Sequence, residues 1–396
     1  MFCFELGWYH DNSSHTLLRM GLFSGDKMEN YTISLPSYSI GKDVYEKIEK
    51  ICSPYGTRAV VIGGHRAIAS AKEILLSAVK DSSIEIIDFL WYGGEASYEN
   101  VQKLMESDAV KSADMLFAVG GGKVLDTVKC LSVKVSKPVF TFPTIASNCS
   151  PVTCVSIMYT KEGVFKEPFF FEKPPVHAFI NTDIMAKAPY KYMWAGMGDT
   201  YAKYFESTIS SRGEETLVHY HRLGVVMSSM CLEPILKYGK KALEDNKKGV
   251  ASYEFEQTVL SIAITTGVAS ILLTAEHIID YNTGLAHGIF YGLTSFPNIE
   301  EKHLHGEVVG FGVLILLLVD KQYEMFKKMY DFNVSVGLPV SVSDLELTDE
   351  DMPTVISRAV KMPDTDHNPY EITDEILKSA FEKLSIYNKT KILEED

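Results

Sequence analysis

The sequence is poor in arginine. Arg19, Arg58, Arg66, Arg212, Arg222 and Arg358 are the only six among 38 basic residues. A substrate held by several bidentate clamps calls on the planar guanidinium fork, so this scarcity weighs against one. Positive charge is also in deficit: 38 basic residues against 52 acidic ones leave a net charge of −14. That balance argues against general electrostatic binding to nucleic acid or to an anionic membrane. Cys3, Cys52, Cys130, Cys149, Cys154 and Cys231 form no Cys-x-x-Cys pair, and their irregular spacing reads as reduced thiols, not a disulfide framework. The longest apolar runs, Val259–Leu273 and Val308–Val319, are interrupted or too short to span a bilayer, and are expected as core helices. The first thirty residues hold Glu5, Asp11 and Asp26 and lack the apolar stretch of a signal peptide. The expectation is a cytoplasmic protein with a small-molecule partner, no nucleic acid and no membrane.

What is present is an ordinary globular composition, with 46% hydrophobic and 23% charged residues in 396. That length suggests two domains. Residues 1–27 show no sustained period. They are expected to be a leader, either upstream of a true start at Met28 or a genuine tail. From Ser34 the pattern becomes regular. Ile40–Ile51 has helical spacing. Arg58–Ile62, Ile84–Leu90, Met115–Val119 and Val139–Phe142 read as strands, with helices at Ala67–Val79, Tyr98–Ala109 and Lys123–Val133 between them. This alternation predicts a parallel α/β sheet. Val152–Tyr159 and Phe165–Phe171 read as a hairpin, followed by a strand at Val176–Ile180. Beyond Ala186 the text turns helical: Tyr201–Ile209, Leu217–Leu236, Tyr253–Ile279, Val308–Tyr330, Asp349–Val360 and Thr373–Ile386. The expected layout is a leader over 1–33, an α/β dinucleotide-binding domain over 34–186 and an all-α domain over 187–396.

Three segments carry chemistry. Gly120-Gly121-Gly122-Lys123 follows a strand and opens a helix. Such glycines let the backbone approach a pyrophosphate, with helix amides facing its oxygens. A plain strand–helix turn accounts equally well for the spacing. Asp126 stands in the first turns of that helix, as a loop-orienting residue, a group facing a nicotinamide, or a dipole-favoured acid. Thr144, Ser147, Asn148 and Ser150 line a loop beyond a strand's carboxyl end, where ligands bind in open α/β sheets. Read alone, it is a polar turn. Asp199, expected at a helix start, together with His287 and His305 offers one carboxylate and two imidazoles, a donor set that suits catalytic zinc with an open position. Taken singly, an Asp before a helix is usually an N-cap.

Read in order, GGGKVLDTVK, FPTIASNCSPVTCVSIMYTKEGVFK, KAPYKYMWAGMGDTYAKYFE, AHGIFYGL and LHGEVVGFGVL resemble the glycerol dehydrogenase-like branch of the iron-containing alcohol dehydrogenase superfamily. The resemblance runs from about Pro36 to about Ile386. It implies a nucleotide-binding α/β domain and a helical metal-binding domain in a dehydroquinate synthase-like architecture. It also implies metal and nicotinamide in the cleft between them, and a homo-oligomer. Asp199, His287 and His305 then become the metal ligands and catalytic set. Gly120, Gly121, Gly122 and Lys123 lie at the cofactor phosphates, and Thr144, Ser147 and Tyr159 on the cofactor side.

The departures from that family are informative. Iron-dependent members carry a His four residues after the Asp, where this chain has Lys203. Three remaining ligands favour Zn²⁺ over Fe²⁺. Cys149 replaces an Asp that contacts glycerol in glycerol dehydrogenases, and Phe290 replaces a second His. Both changes resemble the hydroxycarboxylate dehydrogenases. The end of the first strand has His65 and Arg66 but no acid to bind ribose hydroxyls, which favours NADP over NAD. The expected activity is hydride transfer between NAD(P) and a small hydroxy acid or 2-oxo acid. The alternatives are an NAD-dependent glycerol or other polyol dehydrogenase, a dehydroquinate synthase-type lyase, and a catalytically silent binding protein.

Overall fold

A computed structural model describes residues 31–393; the proposed start at Met28 lies outside them. From Ser34 on, the described residues cluster as one compact unit. Six strands form its sheet: β1 (Tyr38–Gly41), β2 (Arg58–Gly63), β3 (Glu85–Trp91), β4 (Met115–Gly120), β5 (Val139–Pro143) and β8 (His177–Asn181), in the order β1-β8-β5-β4-β2-β3. Every pairing is parallel, so all six carboxyl ends open on one edge. Apart from exposed Arg58 at the start of β2, the central strands β2, β4 and β5 are buried, as expected of a sheet covered on both faces. Phe117, Phe142 and Phe179 pack ring to ring beneath it. Helices α1 (His65–Val79), α2 (Tyr98–Glu106) and α3 (Gly122–Val135) make the crossovers, and β6 (Val155–Tyr159) with β7 (Phe165–Phe170) forms the hairpin.

The remainder is helical: α4 (Lys191–Ser210), α5 (His219–Met227), α6 (Ser229–Asn246), α7 (Tyr253–Leu273), α8 (Leu285–Leu293), α9 (His305–Val319), α10 (Tyr323–Val336), α11 (Met352–Ala359) and α12 (Asp374–Thr390). Helix α7 is long and apolar enough to cross a membrane, but 72% of its apolar window is buried inside the protein, so it acts as a core helix. It carries one π turn at Ser261–Thr265. That turn neighbours Pro234 inside α6, which cannot donate to Met230. The Met230 carbonyl instead accepts the Ser261 hydroxyl at 2.8 Å.

Several boundaries differ from the sequence expectation. The expected helix Ile40–Ile51 is a strand, a 3₁₀ turn at Val44–Lys47 and a short helix at Ile48–Cys52. Pairing with β8, Ile40 against Ile180, overrides the local spacing. The expected helix Leu217–Leu236 divides at Ser228, whose hydroxyl bonds back to the Val225 carbonyl at 2.7 Å. The expected helix Val308–Tyr330 breaks after Val319, where Arg212 grips Asp320 bidentately at 2.9 and 2.6 Å and Lys321 turns left-handed. The helix expected to run to Ile279 stops at Leu273, leaving residues 274–284 as an irregular strap.

Candidate active site

The helix carrying Asp199 extends well to either side of it, so the residue is neither at a helix start nor an N-cap. The flanking glycines imitate a helix start in the sequence, but their purpose is close packing. A Cβ on Gly198 would lie 2.0 Å from the Gly306 carbonyl oxygen, and one on Gly306 would lie 2.2 Å from that of Ala195. Helices α4 and α9 therefore cross backbone to backbone. A second such crossing joins α8 to α9, where a Gly312 Cβ would meet the Ala286 carbonyl at 2.5 Å. Each glycine costs roughly 0.5–1 kcal/mol of helix propensity. The return is that three helices bring one residue each to a single point.

That point is the ligand set. His305 Nε2 lies 3.6 Å and His287 Nε2 3.7 Å from the same Asp199 Oδ1. One donor atom from each residue lies within 4.8 Å of the others. Burial opposes the Asp199 charge, but the His305 and His287 imidazoles, with Lys203, hold its pKa down to about 2. The carboxylate is therefore ionised. Phe290 packs its edge on His305 at 4.4 Å between ring centroids, an apolar wall where the family has a second His.

Glu206 was not anticipated. Its carboxylate is fully buried and accepts from His287 Nδ1 at 2.8 and 3.0 Å. It also accepts the backbone amides of Gly284 and His287, each at 2.9 Å. A carboxylate only accepts, so the His287 proton sits on Nδ1 and the Nε2 lone pair faces the triad. Burial lowers the His287 pKa, but Glu206 outweighs this and raises it. The signal was available: Glu206 falls two turns after Asp199 on the same helix face. The donor set fits a divalent ion, with three convergent ligand atoms and one imidazole pre-oriented. Glu206→Gln is expected to weaken metal affinity about 10–100-fold, read by competition with a chelating dye. Unchanged affinity would contradict the orienting role.

On the sheet side of the site, α3 begins at Gly122 with no side-chain cap, which leaves first-turn amides for an anion. The glycine loop is pressed on the Thr144–Ser150 loop. A Cβ on Gly121 would sit 2.5 Å from Ile145 Cδ1, and one on Gly122 would sit 2.7 Å from Asn148 Nδ2. The far side of that loop meets α4, with a Gly196 Cβ position 2.7 Å from the Ala146 carbonyl. Gly120, Gly121, Gly122, Thr144 and Ser147 are thus joined to the triad through one loop.

The other expected residues divide. Asp126 accepts from Ser150 Oγ at 2.7 Å, Lys129 Nζ at 3.0 Å and the Ile157 amide at 3.3 Å, and so ties the loop to the hairpin. Lys123 pairs with Glu95 at 2.6 Å over the half-buried Tyr159 ring. His65 and Arg66 are exposed beyond β2, with His65 stacked on Trp91 at 5.4 Å. Cys149 lies near enough to Asp199 and Lys203 to feel both charges. Burial pushes its thiol up to about 11, so it stays neutral.

The chain resembles known proteins in both sequence and fold. Residues 36–181 match the iron-containing alcohol dehydrogenase family. The chain is 33% identical over 309 residues to glycerol dehydrogenase of Thermotoga maritima, covering 76% of this chain and 82% of that one. The chain belongs to this family. It falls in the glycerol dehydrogenase-like branch and is an NAD(P)-dependent oxidoreductase acting on CH–OH groups. It is also 28% identical over 338 residues to hydroxycarboxylate dehydrogenase A of Escherichia coli, covering 84% and 90% of the two chains. The fold matches the crystal structure of glycerol dehydrogenase from Schizosaccharomyces pombe with a TM-score of 0.79, 22% identity and 92% of each chain covered.

Proposed function

We infer that the protein transfers hydride reversibly between a nicotinamide dinucleotide and a small alcohol bearing a second oxygen function on the neighbouring carbon. The observation that carries this is the convergence of Asp199, His287 and His305 beside a loop that also seats the glycine-lined start of α3. A divalent ion, when bound by the triad, supplies Lewis-acid polarisation of the substrate oxygen. Asp199 brings the only negative charge in the ligand set, Glu206 fixes the His287 ring, and Phe290 keeps one wall apolar. Three ligands, with Lys203 in the place of a fourth imidazole, support zinc over iron.

Glycerol, named for the Thermotoga maritima relative, fits the family as a whole. A 2-hydroxy acid is the second reading, favoured by the neutral Cys149 thiol. The test is an NADH and NADPH oxidation screen on zinc-loaded protein over dihydroxyacetone, glycolaldehyde, 2-oxo acids and butanal. Turnover is expected with at least one of the oxygen-bearing carbonyls and about tenfold less with butanal. No turnover with any of them would overturn the reading.

At the cofactor's adenosine end, exposed His65 and Arg66, in a Gly63-Gly64-His65-Arg66 run that contains no acid, support acceptance of a 2′-phosphate. Arg66→Ala and His65→Ala are each expected to raise the NADPH KM about tenfold, with the NADH KM unchanged. An unaltered NADPH KM in both would refute this.

A further inference from the structure

Lys203 follows Asp199 by one helical turn on the same face of α4 and is only 6% exposed. Its ammonium donates to the backbone carbonyl of Asn282 and to the Asn282 side-chain oxygen, the latter at 2.8 Å. Among the described residues, no carboxylate lies within ion-pair distance of it. Its direct partners are thus neutral oxygens, with the Asp199 carboxylate acting only at longer range, and burying a charge in such a setting is costly. A substrate anion placed beside it would offset that cost. An ammonium has three donors, and Asn282 engages two.

Its surroundings point the same way. Lys203 follows Asp199 by one turn on the same helix face, and its charge acts on both Asp199 and Cys149, which places the ammonium within electrostatic range of the ligand triad and the loop end. The loop presents a neutral thiol there, which does not repel an anion. Asn282, its present partner, sits on the strap 274–284, which has no regular structure and includes left-handed His277. The lysine stem is long and flexible, so the head can shift from a neutral oxygen to a charged one.

We propose that Lys203 is a specificity-determining residue that receives a carboxylate on the substrate, attached to the carbon whose oxygen faces Asp199, His287 and His305. This rests on the dehydrogenase reading above and names its substrate class as 2-oxo and 2-hydroxy acids.

The test uses zinc-loaded full-length protein with bound dinucleotide. Pyruvate and hydroxyacetone form a matched pair, with the carboxylate of one replaced by a neutral hydroxymethyl group in the other. Oxamate, a non-reacting 2-oxo acid analogue, gives a binding constant by calorimetry without turnover. Lys203→Gln is expected to lower kcat/KM for pyruvate and weaken oxamate binding by about 100-fold, while hydroxyacetone changes less than about threefold. Lys203→Arg, which keeps the charge, is expected to restore most of the oxamate affinity. An equal loss on both substrates would reduce Lys203 to a structural role and overturn the proposal, as would unchanged oxamate binding. Good hydroxyacetone turnover with a pyruvate rate indifferent to the substitution would leave the dehydrogenase reading standing and remove this one. Absence of turnover with either substrate counts against the dehydrogenase reading, and oxamate affinity then decides the role of Lys203 alone.

Discussion

Asp199→Ala is expected to lower kcat/KM roughly 10³–10⁴-fold, the several kcal/mol that a Lewis acid contributes to such a reaction. Both imidazole Nε2 atoms converge on one oxygen of this carboxylate, at 3.6 and 3.7 Å. It is the only anionic member of the set, and Glu206 cannot replace it because all its contacts turn to His287 and Gly284. Folding is expected to survive, since the substitution leaves the glycine contacts between α4 and α9 in place. Steady-state kinetics with circular dichroism checks both parts. Full activity in a folded variant would refute metal-assisted chemistry at this site.

Gly198→Ala is expected to destabilise the protein by about 1–3 kcal/mol through overpacking, despite the better helix propensity of alanine. The added methyl would meet backbone, the Gly306 carbonyl at 2.0 Å and Gly310 Cα at 3.3 Å, so the helices themselves must separate. Separation moves Asp199 away from His305, and a displacement near 1 Å costs about 100-fold in rate. Gly224→Ala is the comparison. Its Cβ would first meet the Leu273 side chain at 2.9 Å, which can rotate aside, so a smaller loss is expected. Denaturant unfolding and kcat/KM on both variants test this. Equal stability of the two would show that the α4–α9 crossing tolerates a methyl group.

The same crossing explains what was legible beforehand. The ligand triad was readable because its motifs occur together and in order, and the alternating strand and helix pattern fixed the parallel sheet. The place of Asp199 within its helix was misread because Gly196 and Gly198 look like punctuation. Gly198 is required by a helix more than a hundred residues away and Gly196 by the Ala146–Ser147 loop, contacts that no local pattern reveals. The strand Tyr38–Gly41 was hidden for a similar reason, since only pairing with β8 makes it a strand. Glu206 was within reach by counting two turns from Asp199, yet its purpose appears only once His287 is beside it. The partner of Lys203 lies 79 residues further on in an irregular strap, beyond any periodicity argument.

The most direct test of the central claim is the metal content of purified, zinc-equilibrated protein and of Asp199→Ala, by mass spectrometry after dialysis. About one divalent ion per wild-type chain is expected, and nearly none in the folded variant. Equal metal in both, or wild-type turnover that persists after complete removal of the ion, would contradict it.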